Sequence, residues 1–506
     1  MRIWAGLRRS PTCGDRRRGA EPDPAGLRAT PERGRLDLPR IARTSGRAAL
    51  LAALAFLAPG TGGQDAGRTG DPSVEEIRDR LLERFDAALD RGREALGKAG
   101  VEAAEAAEAT EALRAGLTRG TFEVFRGSLP KSTHPDRYGA RRGEQRARRI
   151  EEGGFGSERA LRDALDWLAR HQSANGRWEP AGFSTRCKGT PCLGAGDEAN
   201  DTGVTALAAL AILGNGEGPG AGPYGQGLAR ALRWLLGRQD SSSGRIGSPS
   251  GERFMYGHAA ATLALAETSA LGGGTEEIQG ALAKAVGFIH AARNRTGAWR
   301  YECPPNGESD SSVTGWVLLA LRGAADAGIA VDAEDLDAGF SWLSRATDPR
   351  SGRCGYRTRG ERSFRQLGAA PRFPADRTEA LTALSLFARM VHGRIAAGDE
   401  LLPRQAELFR KTLPRWEATP RASPVDEDYW FFGTLAAFQL GGRDWEEWNF
   451  ALKKALLENQ RRDGDAAGSW DPVGVWGGAG GRVAMTAFCA MCLEVYFRYG
   501  RTFGAR

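Results

Sequence analysis

Histidine is scarce in this sequence, with five residues among 506, and methionine is equally rare. So few histidines argue against a histidine-rich metal centre. A membrane-spanning segment also needs roughly 20 consecutive apolar residues. The apolar run from Ala48 to Ala58 is too short for that. The composition therefore favours neither a metalloprotein rich in histidine nor a spanning helix at this run.

Residues 51–506 carry equal numbers of basic and acidic side chains. The formal charge is +7, but residues 1–50 alone hold 12 Arg against 5 Asp and Glu. The remainder is therefore electrically balanced. A neutral body lacks the electrostatic footprint of a nucleic-acid-binding protein, so we expect no nucleic acid partner.

The first 63 residues have the pattern of a targeting segment. Arg43 and Arg47 precede the apolar run, and Pro59 and the small residues 60–63 follow it. This order is typical of a Sec-type secretory signal near residues 43–63 and predicts export to the periplasm or cell envelope. The alternative is the start of a buried helix.

Residues 64–157 are expected to form a helical extension and a linker. Ser73 begins a capping-box pattern, and apolar residues then recur at helical spacing, so residues 73–117 are predicted to be helical. The segment 128–157 is polar and rich in Gly and Arg, which is typical of a linker or a strap leading into the next domain.

Two cysteines share a short loop, Cys187 and Cys192. In an exported protein this pair is a disulfide candidate. A zinc site would need two further ligands nearby, and the local sequence shows none. We therefore predict no metal and no cofactor.

From residue 158 to 506 the chain repeats a unit of two helices. The typical unit has a first helix with charges along one side, a Gly turn with an aromatic residue, and a second helix rich in Ala and Leu, and the fifth unit is degenerate. The second helices, such as the one that begins at Asp201, are apolar nearly all round and should be buried on every face. Six units predict an all-α fold, an α/α toroid of six helix pairs with an inner and an outer ring. The alternative is an open solenoid.

The turns carry a family resemblance. Gln172 and Trp178 flank Gly176 in the first unit, and Gln460 precedes Trp470 in the last. This pattern resembles the Gln-Trp repeat of the squalene–hopene cyclase and protein prenyltransferase superfamily, across about two-thirds of the chain. A narrower likeness is to exported bacterial proteins with prenyltransferase/squalene oxidase repeats. The resemblance implies a terpenoid cyclase-like toroid and a structural role for the repeated Gln and Trp.

The catalytic motifs of that superfamily are not conserved here. The cyclase Asp-x-Asp-Asp acid is reduced to Asp310 with serines beside it, and Asp428 lies in the differently spaced run 426–428. The Asp-x-Cys zinc pair of protein prenyltransferases and the Asp-Asp-x-x-Asp diphosphate motif do not occur. The resemblance therefore implies a scaffold more strongly than an activity.

Several polar residues lie near the predicted starts of inner helices, which gather at one mouth of a toroid. We expect Asp310, His258 and Asp428 as candidate catalytic residues. Candidate ligand-binding residues are Asp201, Tyr256, Trp316, Asp376 and Tyr429. Carboxylates, a histidine and aromatic rings around an apolar cavity would suit an amphiphilic ligand. The alternative is that the aspartates are helix caps and that His258 is a structural hydrogen-bonding group.

Three functions remain open. The first is a binding or scaffold protein of the cell envelope, with a lipid or isoprenoid ligand in the cavity or a protein partner. The second is a squalene cyclase-like or prenyltransferase-like enzyme acting on an isoprenoid or another lipid. The third is a carbohydrate-active enzyme that uses paired carboxylates at the mouth.

Overall fold

The computed structural model describes residues 138–151, 156–248, 254–365, 368–396, 398–419 and 421–500. The chain divides into two units, 1–127 and 128–506, and the first lies outside the described residues. The predicted signal at 43–63 and the predicted helical segment 73–117 therefore lie outside the described residues too. The described part consists of helices and turns, and no strand occurs in it apart from two isolated bridges.

Six pairs of helices follow one another along the described chain. The pairs are α2 (Ser157–Arg170) with α3 (Asp201–Gly214), α4 (Gly225–Gly237) with α5 (Phe254–Thr268), α6 (Glu276–Ala291) with α7 (Ser311–Asp326), α8 (Ala333–Ala346) with α9 (Ala380–Val391), α10 (Leu401–Lys411) with α11 (Glu427–Leu440), and α12 (Gly442–Leu457) with α13 (Gly477–Leu493). A short helix precedes the pairs, α1 (Gly143–Arg149), and another follows them, α14 (Val495–Arg498).

The second helices of the pairs form a closed inner ring. Each packs on the next in the order α3, α5, α7, α9, α11, α13, and α13 packs back on α3. Closure confirms the predicted α/α toroid, and the alternative of an open solenoid is wrong. The ring closes because every inner helix is apolar on nearly all faces and must be covered on both sides.

The first helices form the outer layer. In α2, Leu161 and Leu165 are buried while Arg162 is exposed, as expected for a helix with one face toward solvent. In α5, by contrast, every residue from His258 to Thr268 is buried. None of the described helices combines the length and the hydropathy that crossing a membrane would require.

The repeated tryptophan joins the two layers. The indole N–H of Trp178 donates to the Leu168 carbonyl at the end of α2, at 2.8 Å, and its backbone N–H donates to Thr205 Oγ1 of α3, at 3.0 Å. Trp299 and Trp470 make the same two bonds in their own units. The structural role implied by the family resemblance is therefore visible in the hydrogen bonds.

The repeated glutamine joins one unit to the next. Gln172 Nε2 donates to the carbonyl of Gly227 in α4, at 2.8 Å. Gln460, in the last unit, donates to the carbonyl of Ala160 in α2, at 2.7 Å, so it links the last unit to the first. The glutamines thus satisfy backbone groups that would otherwise lack partners between outer helices.

The segment that begins at Tyr138 packs against the end of the ring opposite the inner-helix starts. Arg141 is fully buried and donates to the carbonyls of Leu213 and Arg498. It also pairs with Glu267 at the end of α5. The part of the lead-in segment from residue 138 onward therefore seals one end of the toroid.

Candidate functional site

A cavity of about 170 Å³ lies between the amino-terminal ends of the inner helices. Its wall is mostly apolar or aromatic, and Asp428 is the one carboxylate among the described residues that line it. A smaller space of about 30 Å³ shares part of this wall. The shared residues are Tyr256, Asp428 and Trp476. Other residues in the wall of the larger cavity include Val204, Phe254, Trp316, Ala484 and Phe488.

Asp428 is placed in this wall by the first turn of α11. The helix is capped two residues earlier by Asp426, whose Oδ1 accepts the backbone N–H of Tyr429 at 3.2 Å. Asp428 is therefore released from capping and its carboxyl group borders the cavity. Of the two aspartates at the start of α11, Asp426 is therefore the helix cap and Asp428 is the residue that lines the cavity.

The Asp428 carboxyl group keeps its proton to a much higher pH than an exposed aspartate does. Burial raises its pKa to about 7, and the negative charge of Asp426 acts in the same direction, while Arg365 and the nearby Trp316 oppose the shift. Burial raises an acid's pKa because the charged form loses its hydration. Below about pH 7, Asp428 can therefore donate a hydrogen bond as well as accept one.

Trp316 lies in the same cavity wall as Asp428. Its proximity lowers the pKa of the Asp428 carboxyl group slightly, and its ring packs against Phe431, Phe432 and Phe488, with centroid distances from 5.1 to 6.5 Å. The tryptophan thus supplies an aromatic wall beside the carboxyl group.

Hydrogen bonds through Ser312 connect Tyr256, in the cavity wall, to Asp310. The tyrosine hydroxyl lies 2.6 Å from Ser312 Oγ, and Ser312 donates to Asp310 Oδ1 at 2.7 Å. A serine hydroxyl has one proton, so when Ser312 gives it to Asp310 the tyrosine must donate to Ser312. The Tyr256 oxygen then offers only lone pairs to the cavity.

Asp310 itself is a helix cap outside the cavity wall. Its Oδ1 accepts the Val313 N–H at 2.9 Å, which confirms the N-cap interpretation for α7. Its Oδ2 lies 3.8 Å from Arg300 Nε. Burial raises the pKa of Asp310 to about 6, and the hydrogen bonds from Val313 and Ser312 and the charge of Arg300 limit the shift.

His258 lies in the second turn of α5 and has both ring nitrogens occupied by backbone groups. Nδ1 accepts the Ile246 N–H at 3.0 Å and Nε2 lies 3.2 Å from the Ala285 carbonyl. It takes the place that Thr205 and Thr314 hold in neighbouring units, where a threonine accepts the N–H of the turn residue. Burial lowers its pKa to about 4. The structure therefore places His258 in the scaffold.

Three further predicted site residues also lie away from the cavity wall. Asp201 pairs with Arg177 at 3.3 Å, and Asp376 is exposed in a short turn before α9. The hydroxyl of Tyr429 lies 2.6 Å from Thr412 Oγ1 at the end of outer helix α10, because its ring is directed outward. Of the eight predicted residues, the cavity wall brings together Tyr256, Trp316 and Asp428.

The Cys187 and Cys192 side chains are adjacent free thiols, with their sulfurs 3.2 Å apart. The predicted disulfide stays a prediction. The structure adds a neighbour that the sequence did not indicate: His171 Nε2 lies 3.5 Å from Cys187 Sγ and 3.9 Å from Cys192 Sγ. The sequence interpretation missed His171 because it follows the last turn of α2, 16 residues before the first cysteine.

Comparisons with known proteins do not assign the chain to a family. No protein family model and no curated protein matches the sequence. An alpha-1,6-mannanase of Salegentibacter sp. HEL1_6 aligns with 12% identity over 67% of this chain and 99% of its own, with a TM-score of 0.47. The type II terpene cyclase MstE of Scytonema, in complex with geranylgeranyl dihydroxybenzoate, aligns with 14% identity over 70% of this chain and 98% of its own, with a TM-score of 0.43.

Proposed function

We propose that this protein is an exported binding protein of the cell envelope whose toroid cavity takes up a compact amphiphile with a hydroxyl group. The observation that carries the proposal is a mostly apolar cavity in which Tyr256 and Asp428 both present oxygen atoms, while Asn200, Thr202 and Ser248 are further polar residues of its wall. Binding sites for small apolar molecules have this composition, with few polar groups that set the ligand's orientation.

The two polar groups are complementary to a hydroxyl. Tyr256 has its proton engaged by Ser312 and can accept a hydrogen bond, while neutral Asp428 can donate one. A ligand hydroxyl would donate to the first and accept from the second. Leaving these groups unpaired against an apolar ligand would cost about 1–3 kcal/mol each, so a hydrocarbon without a hydroxyl should bind less well.

The cavity volume limits the apolar part. A dry cavity of about 150 Å³ can hold benzene. At about 170 Å³ this cavity accepts a body of similar or slightly larger size, such as a ring or the end group of an isoprenoid. A complete long-chain isoprenoid exceeds it, so any longer lipid would leave part of its chain outside.

A lipid-modifying enzyme is the second candidate, supported by the pKa of Asp428 near 7, which suits general acid or base catalysis. The same shift argues against protonation of an alkene, which needs an unusually strong acid. Glycoside hydrolysis uses two carboxyl groups that flank the substrate. The described cavity wall presents one, so a carbohydrate-active enzyme is the least supported of the three functions.

The test compares ligands and variants in the same assay. We expect native mass spectrometry and calorimetry to detect cyclohexanol in the protein, at least about tenfold tighter than cyclohexane. Asp428→Leu should remove that preference, while Asp376→Asn, an exposed aspartate outside the wall, should retain it. Equal binding of alcohol and alkane, or binding unaffected by Asp428→Leu, would contradict the proposal. Release of a chemically altered alcohol would favour the enzyme instead.

Export is a separate part of the proposal and rests on residues 43–63. Mass spectrometry of the protein from fractionated cells tests it. A chain that begins after about residue 63 and is recovered from the envelope fraction supports export, and an uncleaved chain in the cytoplasmic fraction contradicts it.

A further inference from the structure

We propose that His171, Cys187 and Cys192 bind a divalent cation of the zinc class. None of the three residues lines the cavity described above, so this site is independent of the proposed ligand site. Imidazole nitrogen and thiolate sulfur are the ligands that zinc prefers in proteins. The three potential ligand atoms all lie within 4.8 Å of one another.

The distances match a tetrahedral site closely. With Zn–N near 2.0 Å and Zn–S near 2.3 Å, neighbouring ligand atoms are separated by about 3.5 to 3.8 Å. The His171 nitrogen lies 3.5 and 3.9 Å from the two sulfurs, and the sulfurs are 3.2 Å apart. Shifts of about half an ångström would bring all three atoms to the ideal separation.

The histidine is already oriented for such a cation. His171 Nδ1 lies 2.8 Å from the Trp167 carbonyl, which can only accept a hydrogen bond. Nδ1 must therefore carry the proton, and Nε2 presents its lone pair to the sulfurs. The ring is stacked on Trp167, with centroids 4.2 Å apart, and Phe183 packs against its edge. Metal-binding histidines typically have this arrangement, with the second nitrogen bonded to a carbonyl.

The loop between the cysteines is held toward the same point. Asp465 Oδ2 accepts the N–H of Gly189 at 2.6 Å, and the N–H of Cys192 lies 3.2 Å from Cys187 Sγ. Burial and the neighbouring Cys187 raise the pKa of Cys192 to about 11, so a cation would have to displace its proton. Three protein ligands leave a fourth tetrahedral position, which water can fill.

The site would attach the 187–192 loop to the end of α2. Histidine comes from the helix end and the cysteines from the loop, so one cation would crosslink the two segments. A disulfide between the cysteines would leave His171 without this role, and the two states exclude each other.

The experiment uses the whole protein, purified under reducing conditions without chelators. Elemental analysis is expected to find about one zinc ion per chain in the wild type, and less than about one tenth of that in Cys187→Ser and His171→Gln. Cys303→Ser is the matched control, since Cys303 is a partly buried free cysteine outside the cluster. It should retain the full zinc content. Circular dichroism verifies that each variant is folded.

Cobalt substitution provides a readout that does not depend on variants. Wild-type protein loaded with Co²⁺ should show thiolate-to-cobalt charge-transfer absorption of a tetrahedral site. Zinc content that is equal in all variants, or a reduced wild-type protein that binds neither zinc nor cobalt, would overturn the proposal. A Cys187–Cys192 disulfide in protein isolated without reductant, together with no metal binding after reduction, would also overturn it and support the disulfide.

Discussion

Arg141 Nη1 and Glu267 form a fully buried ion pair at 2.8 Å that joins the lead-in segment to the end of inner helix α5. Arg498 approaches the same carboxylate at 3.3 Å, so two guanidinium groups from opposite ends of the described chain converge on one acid. Burial alone would raise the pKa of Glu267, but the two arginines outweigh it and lower the pKa.

Removing one partner should therefore be costly. We expect Arg141→Met to lower the free energy of unfolding by about 3–5 kcal/mol, because the buried carbonyls of Leu213 and Arg498 lose a donor and Glu267 keeps one of its two guanidinium partners. Urea denaturation measures this. Arg148→Met is the control, since Arg148 forms an exposed pair with Glu144 and should change stability by less than about 1 kcal/mol. A loss at Arg141 as small as that of the control would mean that the segment 138–149 does not seal the ring.

Ring closure is tested at Gly468, which has a φ of +96°. A Cβ atom here would lie 2.1 Å from the carbonyl oxygen of Asp163 in α2, the outer helix of the first unit. Gly468→Ala should thus destabilise the fold by more than about 1 kcal/mol, through strain and through separation of the last unit from the first. Gly464→Ala is the matched control, because Gly464 also has a positive φ but its Cβ would meet open space. Equal unfolding midpoints for the two variants would contradict the close approach.

Glu427 should make stability decrease as pH rises. It is buried, and burial raises its pKa to about 8. The folded state then holds a proton that the unfolded state releases near pH 4.5, so this contribution is present below about 4.5 and is lost as pH rises toward 8. Glu427→Gln should flatten the decline between pH 5 and pH 8 in a series of denaturation curves. A slope that the substitution leaves unchanged would assign the decline to other groups.

Ligand affinity should follow the protonation of Asp428. Below about pH 7 the neutral carboxyl group donates to the ligand hydroxyl, and above it the charged form can no longer donate and resists desolvation. Affinity should accordingly fall as pH rises past 7, and Asp428→Asn should bind with little pH dependence over the same range. Calorimetric titrations at several pH values provide the measurement, and a wild-type affinity that is constant from pH 5 to pH 9 would contradict the role.

Asp310 distinguishes capping from catalysis. Asparagine caps helices about as well as aspartate, whereas alanine costs about 0.5–2 kcal/mol. We expect Asp310→Asn to preserve stability and ligand binding, and Asp310→Ala to lower the melting temperature. If Asp310→Asn instead abolished a chemical conversion of the ligand while the protein remained folded, Asp310 would be an acid of an enzyme rather than a cap.

The sequence by itself determined the helix pairs and favoured a toroid over an open solenoid, and the contact between α13 and α3 in the structure decided for closure. Apolar periodicity identified inner and outer helices, and the Gln and Trp of the turns that carry them also make hydrogen bonds within their own unit, as Gln172 does to Gly176 and Trp178 to Leu168. Because such bonds join residues that lie close together in the sequence, the Gln-Trp pattern can be recognised from the sequence alone. The resemblance to toroid proteins rested on the same local features.

Only the tertiary structure decided which polar residues meet. Asp426 caps α11 and leaves Asp428 for the cavity, a difference of two residues that changes the direction of the side chain. Tyr429, one residue further on, is directed outward to Thr412, and His258 replaces a threonine of the scaffold. His171 reaches the two cysteines because the loop folds back on the end of α2. Side-chain direction depends on the rotation of each helix and the path of each loop, and packing between distant segments sets both.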